Sequence, residues 1–156
     1  VSGAEERGAW RIALLHGPNL GQLGRRPSAH YGTLTLRELE DRVRGWGAKR
    51  GMRVGCFQTD DPGAFVQHVH GLAGIVDGAV VNPGAWTHYQ WSIRDALELL
   101  GAPFVEVHLS DVEAREPHRR VSVIRDVAAG AVWGKGPDGY ADALDLLAGA
   151  LEGEGS

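Results

Sequence analysis

An amide, two guanidiniums and a phenol stand close together between Leu14 and Gly32: Asn19, Arg25, Arg26 and Tyr31, on a segment that also holds Gly17, Pro18, Gly21, Gly24 and Pro27. A phenol of pKa about 10 is only about 0.1% ionised at neutral pH, and each unit of lowering corresponds to about 1.4 kcal/mol, so it becomes a useful base only beside a cation. Arg26 suits that task because a guanidinium does not compete for the proton. A second pair lies far along the chain. Glu106 comes two residues before His108, so on a strand both side chains share a face and the carboxylate can orient the imidazole as an acid. The chemistry in view is general acid and base catalysis.

Each group has a plainer alternative. A loop tyrosine is usually a surface residue, a strand-end histidine is often only hydrogen-bonded, and Asn82 before Pro83-Gly84 could merely cap a helix. His68 and His70 invite a metal reading, but two apart on a helix they point to different faces. The glycines of GKGPDG, residues 134–139, resemble a phosphate cradle only weakly, because GxxxxGK[ST] is absent. A strand-to-helix turn is the simpler account of them.

The elements that must position these groups follow from periodicity. Ile12 to Leu15 is a short apolar strand. Leu36, Leu39, Val43 and Trp46 recur at helical spacing behind a capping box of Thr35 and Glu38, and Gly51 ends that helix. Met52 to Phe57 forms a second strand, after which Asp61 can cap a helix opened by Pro62, with Phe65, Val66, Val69 and Leu72 as its stripe. Ala79 to Val81 is a third strand of the doubly buried kind. A third helix is expected from about Thr87 to Leu100, a fourth strand from Phe104 to Val107, an irregular charged stretch from Ser110 to Arg125, and a fifth strand from Ala128 to Trp133. Tyr140, Leu144, Leu147 and Leu151 mark the last helix.

Five strands alternating with helices predict a parallel, doubly wound α/β sheet. All strands of such a sheet point their carboxyl ends at one edge, which gathers Asn19, Asn82 and His108 into one crevice. The segment carrying Arg26 and Tyr31 then reads as a lid over it.

Composition sets the class. At 156 residues the chain suits one domain, able to bury about 70% of the surface its unfolded form exposes. It is 43% hydrophobic and 23% charged, as ordinary soluble globular proteins are. A formal net charge of −4 argues against a nucleic-acid surface. Of the basic residues all but Lys49 and Lys135 are Arg, the better fork for carboxylate or phosphate, although a compositional bias explains that as simply. A lone Cys56 fits a reducing, cytoplasmic setting, and no apolar run is long enough for a membrane span. Residues 1–9 read as a loose extension, 10–152 as the single domain and 153–156 as a fraying tail.

The segments GPNLGQLGRRPSAHYG, VNPGAWTH followed by IRDAL, EVHLSDVEARE and AAGAVWGKGPDGY, in that order, resemble type II 3-dehydroquinate dehydratase over about residues 11–150. The resemblance implies a flavodoxin-like three-layer sandwich with strand order 2-1-3-4-5, trimers assembled into a dodecamer, no cofactor, and trans-elimination of water from 3-dehydroquinate. By the same likeness Tyr31 matches the general base, Arg26 the lid arginine that activates it, and Asn19 the residue holding a water against the enolate oxygen. His108 matches the acid for the departing hydroxyl, with Glu106 behind it and Asn82 helping to position the group. His88, Ser110 and Arg119 match substrate-binding positions, the Leu109 amide nitrogen faces the substrate carboxylate, and Asp95 resembles the residue that reaches a neighbouring subunit's site. The proton beside a ketone is acidic enough for a stepwise route through an enolate, and a base, an oxyanion stabiliser and an acid are its needs.

The chain departs from the family pattern at His16, where Asn is usual, at Tyr89-Gln90-Trp91 after the strand-three Thr-His, and at Asp111, Val121, Val123 and Trp133. Those substitutions leave a second substrate open, since pocket shape discriminates while the elimination machinery is reusable. The alternative is the same elimination on a related β-hydroxy ketone such as aminodehydroquinate, in specialised metabolism. A flavodoxin-like flavin or nucleotide binding module is the rival from another class; against it stands the missing Ser/Thr-rich phosphate loop after strand one.

Overall fold

Runs of Val, Leu and Ile that no polar residue interrupts can be buried only between two layers, and such runs form the central strands here. The computed structural model describes residues 8–25, 33–111, 116–119 and 121–154. In chain order the main elements are β1 (Trp10–His16), α1 (Leu36–Ala48), β2 (Met52–Gln58), α2 (Pro62–Leu72), β3 (Gly78–Asn82), α3 (Trp91–Leu99), β4 (Phe104–Val107), β5 (Gly130–Val132) and α4 (Gly139–Glu154). All strand pairs are parallel and the order is β2-β1-β3-β4-β5, as the resemblance implies.

Alternation along the strands sorts the core into two layers. Ile12, Leu14, Val80, Val105 and Val107 face α1 and α4, meeting Leu39, Val43, Leu144 and Leu147. Ala13, Leu15, Ala79 and Val81 face α2 and α3, meeting Phe65, Val69, Ile93 and Leu97. The sheet is therefore sandwiched, and its carboxyl edge is the side left for chemistry.

Local signals hold where expected. Thr35 Oγ1 accepts from the Glu38 N–H at 3.1 Å, and its hydroxyl reaches back to Glu38 Oε1 at 3.0 Å. Asp61 accepts from the Gly63 N–H with Pro62 as the first helical residue. These caps fix where α1 and α2 begin.

Several boundaries differ by one to four residues, and three have a visible cause or consequence. The third helix begins later than Thr87: Gly84–His88 is a 3₁₀ turn and α3 starts at Trp91. The cause is local, since the Asn82 carboxamide accepts the Gly84 N–H at 3.1 Å, Gly84 sits at φ +58°, and buried Trp86 wedges edge-on against Phe65. β5 is shorter than expected because Arg125–Val127 is itself a 3₁₀ turn and Gly134, at φ +78°, bends the chain away. α4 continues to Glu154, past the boundary expected at residue 152. Residues 1–7, 155 and 156 lie outside the described residues.

Candidate active site

β1 and β3 end side by side, His16 paired with Asn82 in register. Between these two strands the winding reverses, which in an open α/β sheet opens the ligand crevice. His108 follows β4 directly, so three strand ends bring His16, Asn82 and His108 to one edge. All three are buried, at 0%, 3% and 5% exposure, which is unusual for polar groups unless each is hydrogen-bonded.

Glu106 is the charged centre of this edge. Its side chain is wholly buried, and Oε2 accepts from His108 Nε2 at 2.6 Å and from the Thr87 hydroxyl at 2.6 Å. Oε1 accepts from the Ser122 hydroxyl at 2.8 Å, and Arg125 Nε stands 3.5 Å from it, at ion-pair distance. Ser122 can only donate to Oε1, because its oxygen already accepts from the Ile124 and Arg125 N–H groups. Burial pushes the Glu106 pKa up, but the bond and charge of His108 and the two hydroxyls outweigh it and hold the group down at about 2. An ionised Glu106 accepts, so His108 Nε2 carries a proton and the imidazole is fixed in one orientation.

The supports come from sequence-distant elements. Val123 N–H donates to the Thr87 carbonyl at 2.7 Å, and Arg94 on α3 clamps the same loop through both Asp126 oxygens and the Val123 carbonyl. Trp133 lies under the Arg125 guanidinium, 4.6 Å from its ring centroid, so this departure from the family pattern serves as a cation–π platform. His88 Nδ1 donates to the Val121 carbonyl at 2.7 Å. Leu109 and Ser110 are braced by GKGPDG: their carbonyls accept from Gly136 and Gly134 N–H at 3.0 and 3.1 Å. That motif is a turn, as its simpler reading had it.

Past β1, Asn19 is left-handed at φ 70°, the one non-glycine residue with positive φ among those described. Its N–H donates to Asp60 Oδ1 at 2.9 Å, and Gln58 Nε2 bonds both Asp60 Oδ1 and the Gly17 carbonyl at 3.1 Å. Asn tolerates this conformation at modest cost, and the bonds of Asp60 and Gln58, at and just past the end of β2, hold it in place.

The structure thus brings Asn82, Glu106 and His108 together, with Asn19, His88, Leu109 and Ser110 on the segments leaving the same edge. Asp95 is set apart, exposed on α3 in one stripe with Trp91 and Leu99. Tyr31 and Arg26 lie outside the described residues, as does the side chain of Arg119, whose backbone closes the 3₁₀ turn Pro117–Arg119. His68 stacks flat on Phe57 with ring centroids 3.8 Å apart, which accounts for it without a metal. Sequence reading missed Thr87, Ser122, Arg125, Asp60 and Tyr140. Only Thr87, beside His88 in VNPGAWTH, and Tyr140, the last residue of AAGAVWGKGPDGY, stood in a quoted motif.

The sequence profile described as "Dehydroquinase class II" matches residues 10–148. A 3-dehydroquinate dehydratase of Syntrophotalea carbinolica is 47% identical, over 83% of this chain and 88% of the relative. That of Ruegeria pomeroyi is 45% identical, over 93% of this chain and 97% of its own. Among solved structures, the type II dehydroquinase from Propionibacterium acnes superposes with a TM-score of 0.84 at 41% identity, covering 91% of this chain and 98% of that one.

Proposed function

The chain belongs to the class II dehydroquinase family and is a hydro-lyase acting on 3-dehydroquinate, and we propose that it removes water by a stepwise trans-elimination through an enolate. Tyr31, activated by Arg26, takes a proton from the carbon beside the ketone. Asn19 holds a water against the enolate oxygen that results. His108 gives a proton to the hydroxyl leaving the adjacent carbon, so one proton is taken, one is given, and water and a conjugated enone are formed. Asn82, His88 and Ser110 hold the ring, and Arg119 with the Leu109 amide nitrogen holds the carboxylate.

The observation that supports this best is the buried pair of His108 and Glu106 at 2.6 Å on the carboxyl edge of the sheet, beside Asn82. An imidazole that must deliver a proton gains from a carboxylate that stays ionised behind it. The rival substrate drew on Tyr89, Gln90, Trp91, Asp111 and Trp133. Tyr89 and Trp91 are 60% and 58% exposed, and Trp133 is engaged with Arg125, so these aromatics give that reading no support.

The same likeness carries a homo-oligomer, a dodecamer of trimers in a cytoplasmic setting. Trp91, Asp95 and Leu99 stand at i, i+4 and i+8 on the outer face of α3, two of them large apolar side chains, a stripe suited to meeting a second copy. No helix among the described residues is long and apolar enough to cross a membrane.

Tyr31→Phe tests the chemistry. The expected result is loss of turnover with substrate binding nearly intact, because the variant removes the base and little else. Retained turnover would take Tyr31 out of the mechanism.

A further inference from the structure

Tyr140 has no part in the steps above, yet its surroundings are the most completely built behind the site. It is the second residue of α4 and is fully buried. Its hydroxyl lies 2.9 Å from His16 Nε2 and 2.9 Å from Asn82 Nδ2. Those partners are the paired last residues of β1 and β3, so a single phenol ties together the two strand ends that border the crevice.

The direction of the Asn82 bond is fixed by its partners, and that of the His16 bond is the one that gives the phenol hydrogen an acceptor. Asn82 Oδ1 accepts the Gly84 N–H, which leaves Nδ2 as the end turned toward Tyr140, and Nδ2 can only donate. The phenol oxygen accepts it. Its own hydrogen is assigned to His16 Nε2, the acceptor within reach at 2.9 Å, and burial, which lowers that imidazole's pKa to about 4, keeps the ring neutral as an accepting Nε2 requires. His16 therefore carries its proton on Nδ1, an atom with no hydrogen-bond partner among the described residues. A buried ring left with one orphaned nitrogen is a cost, and its bond to Tyr140 is what it gains in return.

We propose that Tyr140, held by His16, is a positioning residue that fixes the carboxamide of Asn82, so that the second Nδ2 hydrogen and second Oδ1 lone pair meet the substrate in one orientation. The proposal rests on the reading of Asn82 as a substrate-binding group. Without the phenol hydroxyl the Gly84 N–H alone holds the carboxamide, at its Oδ1 end, and Nδ2 loses its fixed acceptor.

A double-mutant cycle tests this in the full oligomeric enzyme, with kcat/KM for 3-dehydroquinate as the readout. Tyr140→Phe should lower kcat/KM about tenfold in the parent and leave it unchanged in an Asn82→Ala background, because the phenol acts through Asn82. An equal loss in both backgrounds would assign Tyr140 a merely structural role and overturn the proposal, as would no loss in either. An Asn82→Ala enzyme as active as the parent would overturn the reading of Asn82 itself, and the proposal with it. A second measurement needs no folded variant. Nitrogen-15 spectra of histidine-labelled parent protein should show the His16 Nε2 unprotonated and Nδ1 protonated; a protonated Nε2 would overturn the bond directions on which the positioning depends.

Discussion

Thr87 Oγ1 and His108 Nε2 meet the same oxygen of Glu106, Oε2, at 2.6 Å each. One donor comes from the turn after β3 and the other from the residue after β4, so the carboxylate links adjacent strand ends. Ser122, Arg125 and Trp133 complete the enclosure from the loop before β5 and from its end. A buried negative charge is tolerable only with such complete partnering.

Thr87→Val keeps the shape of the side chain and removes one donor. The carboxylate should then be held less firmly ionised, its pKa rising from about 2, and it should orient His108 less well. We expect kcat to fall about tenfold and KM to change little. Steady-state kinetics at about pH 7 would check this, and an unchanged kcat would remove Thr87 from the acid assembly.

Asn19 separates backbone from side chain. Asn19→Gly should fold at least as well as the parent, since glycine accepts φ 70° freely, but should lose turnover. Asn19→Ala should lose turnover and also about 1 kcal/mol of stability. Thermal melting with kinetics decides it: an active Asn19→Gly enzyme would mean that only the turn matters.

Two buried groups set the acid side of stability with the same sign. His16 has a folded pKa of about 4 against 6.5 unfolded, so between those values the unfolded chain binds a proton that the folded chain refuses. Stability present above pH 6.5 is lost as pH falls toward 4, by about 3 kcal/mol in all. Glu106, depressed from 4.5 to about 2, continues the loss as pH falls through that lower window. His16→Asn should flatten the upper window and leave the lower one. Urea midpoints from pH 7 to 4, at one protein concentration, would reveal it; identical slopes would mean that His16 is not held neutral.

Much of this was legible in the chain because it is local. The capping box at Thr35, Asp61 with Pro62, and Glu106 two residues from His108 are decided by near neighbours, and the structure holds them as the residue pattern requires. What could not be read depends on contacts between distant segments. Ser122 lies in a stretch without periodicity and meets Glu106 through a loop that Arg94 and the Thr87 carbonyl hold from distant elements. Tyr140 fits the apolar stripe of α4 so well that its hydroxyl went unremarked. The late start of α3 was hidden for the same reason, since the Asn82 carboxamide that shapes the turn looked like an ordinary cap.

The central claim is tested most directly by ultraviolet absorbance after mixing the purified protein with 3-dehydroquinate, since elimination must create a conjugated enone. A rapid rise, abolished in Tyr31→Phe and His108→Ala, is the predicted result. No rise from a folded, oligomeric protein, or an undiminished rise in both variants, would contradict it.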